Sequence, residues 1–103
     1  GLPGRLRVVD AGGDPHLRGG AILSLGPVTH LGSERDNDIV LQDRFVSAHH
    51  ARLQWDGVDW WLTDLDSRNG TYLDGGRVAP GTPQRVPLGG SLRIGAAVFE
   101  LQE

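Results

Sequence analysis

Residues 31–41 (LGSERDNDIVL), 43–53 (DRFVSAHHARL) and 60–75 (WWLTDLDSRNGTYLDG) decide the fold of this chain. They set Gly32, Ser47, His50 and Asn69-Gly70-Thr71 on separate turns, joined by short segments rich in β-branched and aromatic residues. Such residues suit a pleated, half-buried surface. Small hydroxyls, an amide and glycines gathered on loops, with no cysteine and no paired carboxylates, fit a site that grips an anion. They do not fit one that breaks bonds.

Outward from that stretch the hydrophobic period is two. Ala51, Leu53 and Trp55 share one face, Arg52 and Gln54 the other. Asp56-Gly57 predicts a hairpin turn, because both residues tolerate positive φ. Val58, Trp60 and Leu62 then continue the inward set, while Trp61 and Thr63 point the opposite way. Further strands are expected over 5–9, 21–25, 28–31, 39–41, 84–87, 91–94 and 97–101, with 71–73 paired to 77–78 across Asp74-Gly75-Gly76. Residues 10–20, rich in glycine, read as a loop. No segment sustains helical periodicity. About ten or eleven short strands imply an all-β sandwich. A chain of 103 residues holds one modest core, so a single domain over 1–103 is expected.

Composition narrows the function. A formal net charge of −3 opposes general nucleic-acid binding, which needs a basic surface to release counterions, and opposes docking on an anionic membrane. Any phosphate must be held by a local cluster against a mildly repulsive field. The chain has no lysine, so no Walker-type phosphate loop is possible. His49 and His50 face opposite ways on a strand and are poorly placed to share one ion, and without cysteine no thiolate site exists. No metal or other cofactor is expected. The longest apolar run is Ala96 to Phe99, which predicts neither a membrane span nor a signal peptide. Without an initiator methionine, the chain is expected to be a domain of a longer protein, cytoplasmic or otherwise intracellular.

Each candidate residue also has a plain structural role. Ser47 suits a solvated or turn-capping position, Asn69-Gly70 a turn, and Arg35 and Arg68 an ordinary surface. Asp36 and Asp38 suit turn-forming positions, their carboxylates accepting from nearby backbone N–H groups. Ser47, His50 and Asp64 could be written out as a catalytic triad. However, Ser47 lacks a strained Gly-x-Ser-x-Gly elbow and nothing marks an oxyanion hole, so no enzyme is expected.

Taken together, the three motifs resemble the forkhead-associated (FHA) domain from about residue 28 to residue 101, with residues 1–27 supplying the first strands and a loop of the same domain. The resemblance implies an FHA/SMAD-like sandwich that binds phosphothreonine in protein partners, either Ser/Thr kinases or their substrates. It implies that Ser47 donates its hydroxyl to the phosphate, that His50 braces the loops, and that Asn69 clamps the peptide backbone. Gly32 and Gly70 then permit close approach and a sharp turn, and Thr71 adjoins the ligand. The family preference for threonine over serine implies a small pocket for its methyl group. Where the family usually carries arginine after its first glycine, this chain has Ser33; Arg35 and Arg68 are the candidates to supply the missing cation. The position two before the loop serine, here Phe45, helps choose the side chain three after the phosphothreonine. An aliphatic residue is expected there, unless the adjacent Arg44 selects an acid. Ser33 also supports an alternative, a phosphate-independent interaction scaffold of the same fold.

Overall fold

Inward-facing residues on strands this short are shielded from water only when two sheets close over them. In the computed structural model, which describes all 103 residues, they are so closed. The strands are β1 (Arg5–Asp10), β2 (Ile22–Ser24), β3 (Val28–Gly32), β4 (Ile39–Val40), β5 (Ala51–Trp55) and β6 (Trp60–Asp64). There follow β7 (Thr71–Leu73), β8 (Gly76–Arg77), β9 (Gln84–Val86), β10 (Ser91–Ile94) and β11 (Ala97–Gln102). One sheet has six strands in the order β2-β1-β11-β10-β7-β8, and the other has five in the order β4-β3-β5-β6-β9. Only the β3–β4 pairing is parallel. The eleven-strand sandwich is the expected all-β fold. No helix long and apolar enough to cross a membrane is present.

The core is one cluster. Leu6 and Val8 of β1, Leu92 and Ile94 of β10, and Phe99 and Leu101 of β11 pack with Leu31, Leu53, Trp60, Leu62 and Val86 of the other sheet. Burying a side chain of this kind stabilises by about 1.5–3 kcal/mol.

The β5–β6 connection departs from the expected two-residue turn. Trp55 pairs with Trp60, so the loop runs from Asp56 to Asp59. Asp56 Oδ1 accepts from the N–H groups of Val58 (2.8 Å) and Asp59 (2.7 Å), which lengthens the loop. Val58 therefore sits at its tip, 75% exposed, and not on the inward face. The Asp59 and Val58 N–H groups, and then the Trp61 indole, hold the Asp56 carboxyl below its ordinary range. Behind this loop the Trp55 and Trp60 rings lie tilted at 48°, their centroids 5.4 Å apart. Thr63 lies on the outward set yet is buried beside its cross-strand partner Arg52, whose Nε is also buried.

Register sets where the loops go. Leu31 pairs with Ala51 and Ala51 with Asp64, so β3 ends, β5 begins and β6 ends at one end of their sheet. In the other sheet Ile94 pairs with Thr71 and with Ala97, which places the start of β7 and the β10–β11 turn together. The β6–β7 connection passes from one sheet to the other. Contacts between Asn69 and Phe45, and between Ala96 and Asp43, show that these connections converge.

Candidate functional site

His50 begins the site. It is fully buried next to the first residue of β5, and its ring joins two loops that are distant in sequence. Nδ1 accepts the N–H of Ser47 at 3.0 Å, and Nε2 lies 2.9 Å from the carbonyl of Gly70. Because Nδ1 accepts, the hydrogen-bond network assigns the ring proton to Nε2, which donates to Gly70. His50 backbone groups add bonds to Leu31 and Leu65.

Asp64, the last residue of β6, organises the second loop. It is fully buried. Oδ1 accepts from the hydroxyls of Ser67 (2.5 Å) and Thr71 (2.7 Å), and Oδ2 accepts from the Ser67 N–H at 3.1 Å. Ser67 Oγ in turn accepts from the Gly70 N–H at 3.0 Å. Burial of the carboxyl acts to raise its pKa. The Ser67 and Thr71 hydroxyls and the Ser67 N–H together outweigh burial and hold it below the ordinary carboxylate range.

These anchors set the loop that presents Arg68 and Asn69. Ser47 Oγ accepts from the Arg68 N–H at 3.1 Å, and the Asn69 amide nitrogen donates to the Phe45 carbonyl at 2.9 Å. On the facing side, the Ser33 and Glu34 N–H groups donate to the Ser47 and Ala48 carbonyls at 3.0 and 3.2 Å. That approach is close: a Cβ on Gly32 would lie 2.2 Å from the Ala48 oxygen. Asn37 seals it, donating to the Glu34 and Ala48 carbonyls at 2.8 and 2.7 Å. Asp43 accepts from the Phe45 and Ala96 N–H groups and so ties its turn to the β10–β11 turn.

Ser33 and Ser47 are half-buried at the mouth of these loops, and Arg35, Arg44, Phe45, Arg68 and Asn69 are exposed around it. No carboxylate pairs with Arg35, Arg44 or Arg68. The Arg44 guanidinium carbon lies 5.1 Å from the centroid of the Phe45 ring. Thr71 requires a correction: it was expected among the ligand-contacting residues, but it is fully buried and its hydroxyl is committed to Asp64. It positions the loop and cannot reach a ligand. Asp36 also differs, since it pairs with His49 Nε2 at 2.9 Å and not with a backbone N–H, whereas Asp38 does accept from the His30 N–H.

The sequence points to Asp64 only as a member of a nominal triad, and no such triad is assembled. Both His50 ring nitrogens are committed to backbone groups, and Ser47 Oγ bonds to Arg68 and not to the imidazole. The signal that could have marked it is the Asp64-x-x-Ser67 spacing ahead of a turn, where a carboxylate can accept from a backbone N–H.

Two outcomes follow from these bonds. His50→Ala should lower the urea midpoint without changing the slope, at about 1–3 kcal/mol for each buried group left unpaired. For Asp64, a depressed folded pKa means its contribution is whole above the unfolded value near 3.9 and is lost as pH falls through the folded value. Melting temperatures of Asp64→Asn and the native chain should therefore differ most near neutrality and converge in acid. A constant gap down to about pH 2 would exclude this origin.

The chain and its fold have counterparts among known proteins. The family model described as the FHA domain matches residues 29–95. The FHA domain-containing protein FhaB of Mycobacterium tuberculosis is 45% identical over 80 residues, covering 78% of this chain and 50% of FhaB. The aligned stretch thus spans half the length of that relative. Among solved structures, the FhaA FHA domain complexed with the intracellular domain of Rv3910 superposes with a TM-score of 0.79 at 25% identity, covering 96% of this chain and 99% of that one. M. tuberculosis EmbR in complex with a low affinity phosphopeptide gives 0.81 at 27% identity, covering 96% of this chain and 24% of EmbR. The chain belongs to the FHA domain family.

Proposed function

We propose that the loop end of the sandwich binds a phosphothreonine-containing segment of a protein partner in Ser/Thr kinase signalling, inside the cell, and that it is an interaction module and not an enzyme. The observation that carries this is the state of Ser47. Its oxygen accepts from the Arg68 N–H and its own hydrogen is given to no protein group, so the half-buried hydroxyl can still donate at the loop mouth. A phosphate oxygen placed there would receive a charge-assisted bond, contributing about 1.5–3 kcal/mol. Arg68 and Arg35, both exposed and without acid partners, supply the cation that Ser33 does not. Asn69, fixed through Phe45, keeps its side-chain oxygen for the peptide backbone. The same commitments leave Ser47 without a base, which argues against nucleophilic chemistry.

Titration with a phosphothreonine peptide library should give affinities on the order of micromolar, about −8 kcal/mol, that vanish on dephosphorylation. Ser47→Ala should weaken binding roughly ten- to hundredfold with little change in melting temperature. Equal binding of phosphorylated and unphosphorylated peptides would instead establish the phosphate-independent scaffold, the reading favoured by Ser33.

The source of the cation is tested separately. Arg68 adjoins Asn69, whereas Arg35 must fold back across its own loop. Arg68→Ala should cost about 1.5–3 kcal/mol of phosphopeptide binding and Arg35→Ala less. Ser33→Arg should add little if Arg68 already serves the phosphate, and should tighten binding if the position is merely vacant.

A further inference from the structure

The outer face of the six-stranded sheet carries arginines that the phosphothreonine reading does not use. Tyr72 of β7 is in register with Arg77 of β8 on one side and with Arg93 of β10 on the other. The Arg93 guanidinium carbon lies 4.0 Å from the Tyr72 ring centroid, a stacked arrangement that fixes its plane. Arg77 lies along the Asn69–Gly70 turn, where a Cβ on Gly70 would come within 2.7 Å of its Nε. Both arginines are exposed, and neither is among the ion pairs of the molecule, which join His30 to Asp38, His49 to Asp36 and Arg85 to Asp59.

Strand alternation places Arg5 and Arg7 of β1 on the same face. Two carboxylates share that face, Glu100 opposite Arg7 and Asp10 at the end of β1, and each accepts only from a neutral donor, the Gln102 amide and the Gly12 N–H. Four arginines against two carboxylates still leave this face basic on a chain of net charge −3, and the Arg77–Tyr72–Arg93 end lies on strands that carry neither acid. This face is continuous with the peptide site. Phe45, Asn69, Gly70, Arg93, Gly95 and Ala96 line an open groove of about 360 Å³ that leads from Asn69 to Arg93.

We propose that Arg77 and Arg93, bracketing Tyr72, form a second anion site that takes an acidic or second phosphorylated side chain of the same peptide whose phosphothreonine sits at Ser47. This rests on the phosphothreonine reading and adds to it a requirement on the partner. The groove from Asn69 favours a continuing peptide over a separate polyanion. Two forked guanidiniums on a rigid sheet suit an oxyanion better than a neutral side chain.

The test is a walked series of phosphothreonine peptides in which each flanking position in turn carries alanine, glutamate or phosphoserine. At one position glutamate should tighten binding, and phosphoserine should tighten it more, by roughly tenfold at low salt and less as salt is raised. An Arg77→Ala/Arg93→Ala chain should lose that gain, keep its melting temperature, and bind the peptide with phosphothreonine alone within about twofold of the native chain. The proposal is overturned if no position shows a gain, if the gain survives the double substitution, or if the double substitution weakens every phosphopeptide equally. Failure of the underlying reading looks different: the native chain would then ignore the phosphothreonine. In that case, Arg77- and Arg93-dependent binding of an acidic peptide lacking phosphothreonine would keep the basic face as a site in its own right. No such binding would remove it, and capture of duplex DNA in place of acidic peptide would reassign it to nucleic acid.

Discussion

A single neutral imidazole holds the two halves of the site at a fixed spacing. His50 spends its acceptor on the Ser47 loop and its donor on the Gly70 loop, and it does so in a fully dry position. An unpaired group there would carry its whole desolvation cost, so neither loop can leave without penalty. Asp64 repeats the logic one strand away, drawing Ser67 and Thr71 together beneath the turn that carries Asn69. Loops held by backbone bonds to buried side chains lose little further freedom when a ligand arrives. That is the main way a small, wet interface gains affinity.

On the proposed reading, recognition and support fall to different residues. Of the groups at the loop mouth, Ser47 is held through its N–H by the buried His50 ring, and Arg68 and Asn69 are held in turn by the Ser47 loop. Arg68 is fixed by its backbone N–H on Ser47, which leaves its side chain free to move. Asn69 is fixed by the Phe45 carbonyl, which couples its amide to the neighbouring loop. Ser33 is held only through its backbone, by the Ser47 carbonyl.

Most of the fold was legible because period-two alternation and glycine-bearing turns leave little choice of element or face. Where the sequence misled, a side chain had taken over a backbone role. Asp56 captured two N–H groups and lengthened its hairpin, which carried Val58 out of the core. Asp64 was hidden for the same reason: its spacing to Ser67 signals at most one backbone N–H, and not that the Ser67 and Thr71 hydroxyls converge on the same carboxylate. Thr71 misled because its motif reads as one unit, whereas burial divides it, with Asn69 outside and Thr71 beneath. The segregation of arginines onto one sheet face could be seen only once β7, β8 and β10 were known to be neighbours.

The placement of the tryptophans has an optical consequence. Trp55 and Trp60 close the β5–β6 hairpin, and Trp61 is bonded to Asp56 in the same loop. Ala51 and Asp64 mark the opposite end of those strands, roughly 13 Å away at the usual rise per residue. The dominant fluorophores thus stand at the end of the sandwich remote from the ligand loops, with Trp60 packed in the core. Their surroundings are set by the closing of the two sheets and the β5–β6 loop, and not by the loops at the other end. The molecule carries a built-in reporter of its own integrity, and a change in that signal on adding a ligand would mean that the sandwich itself had been disturbed.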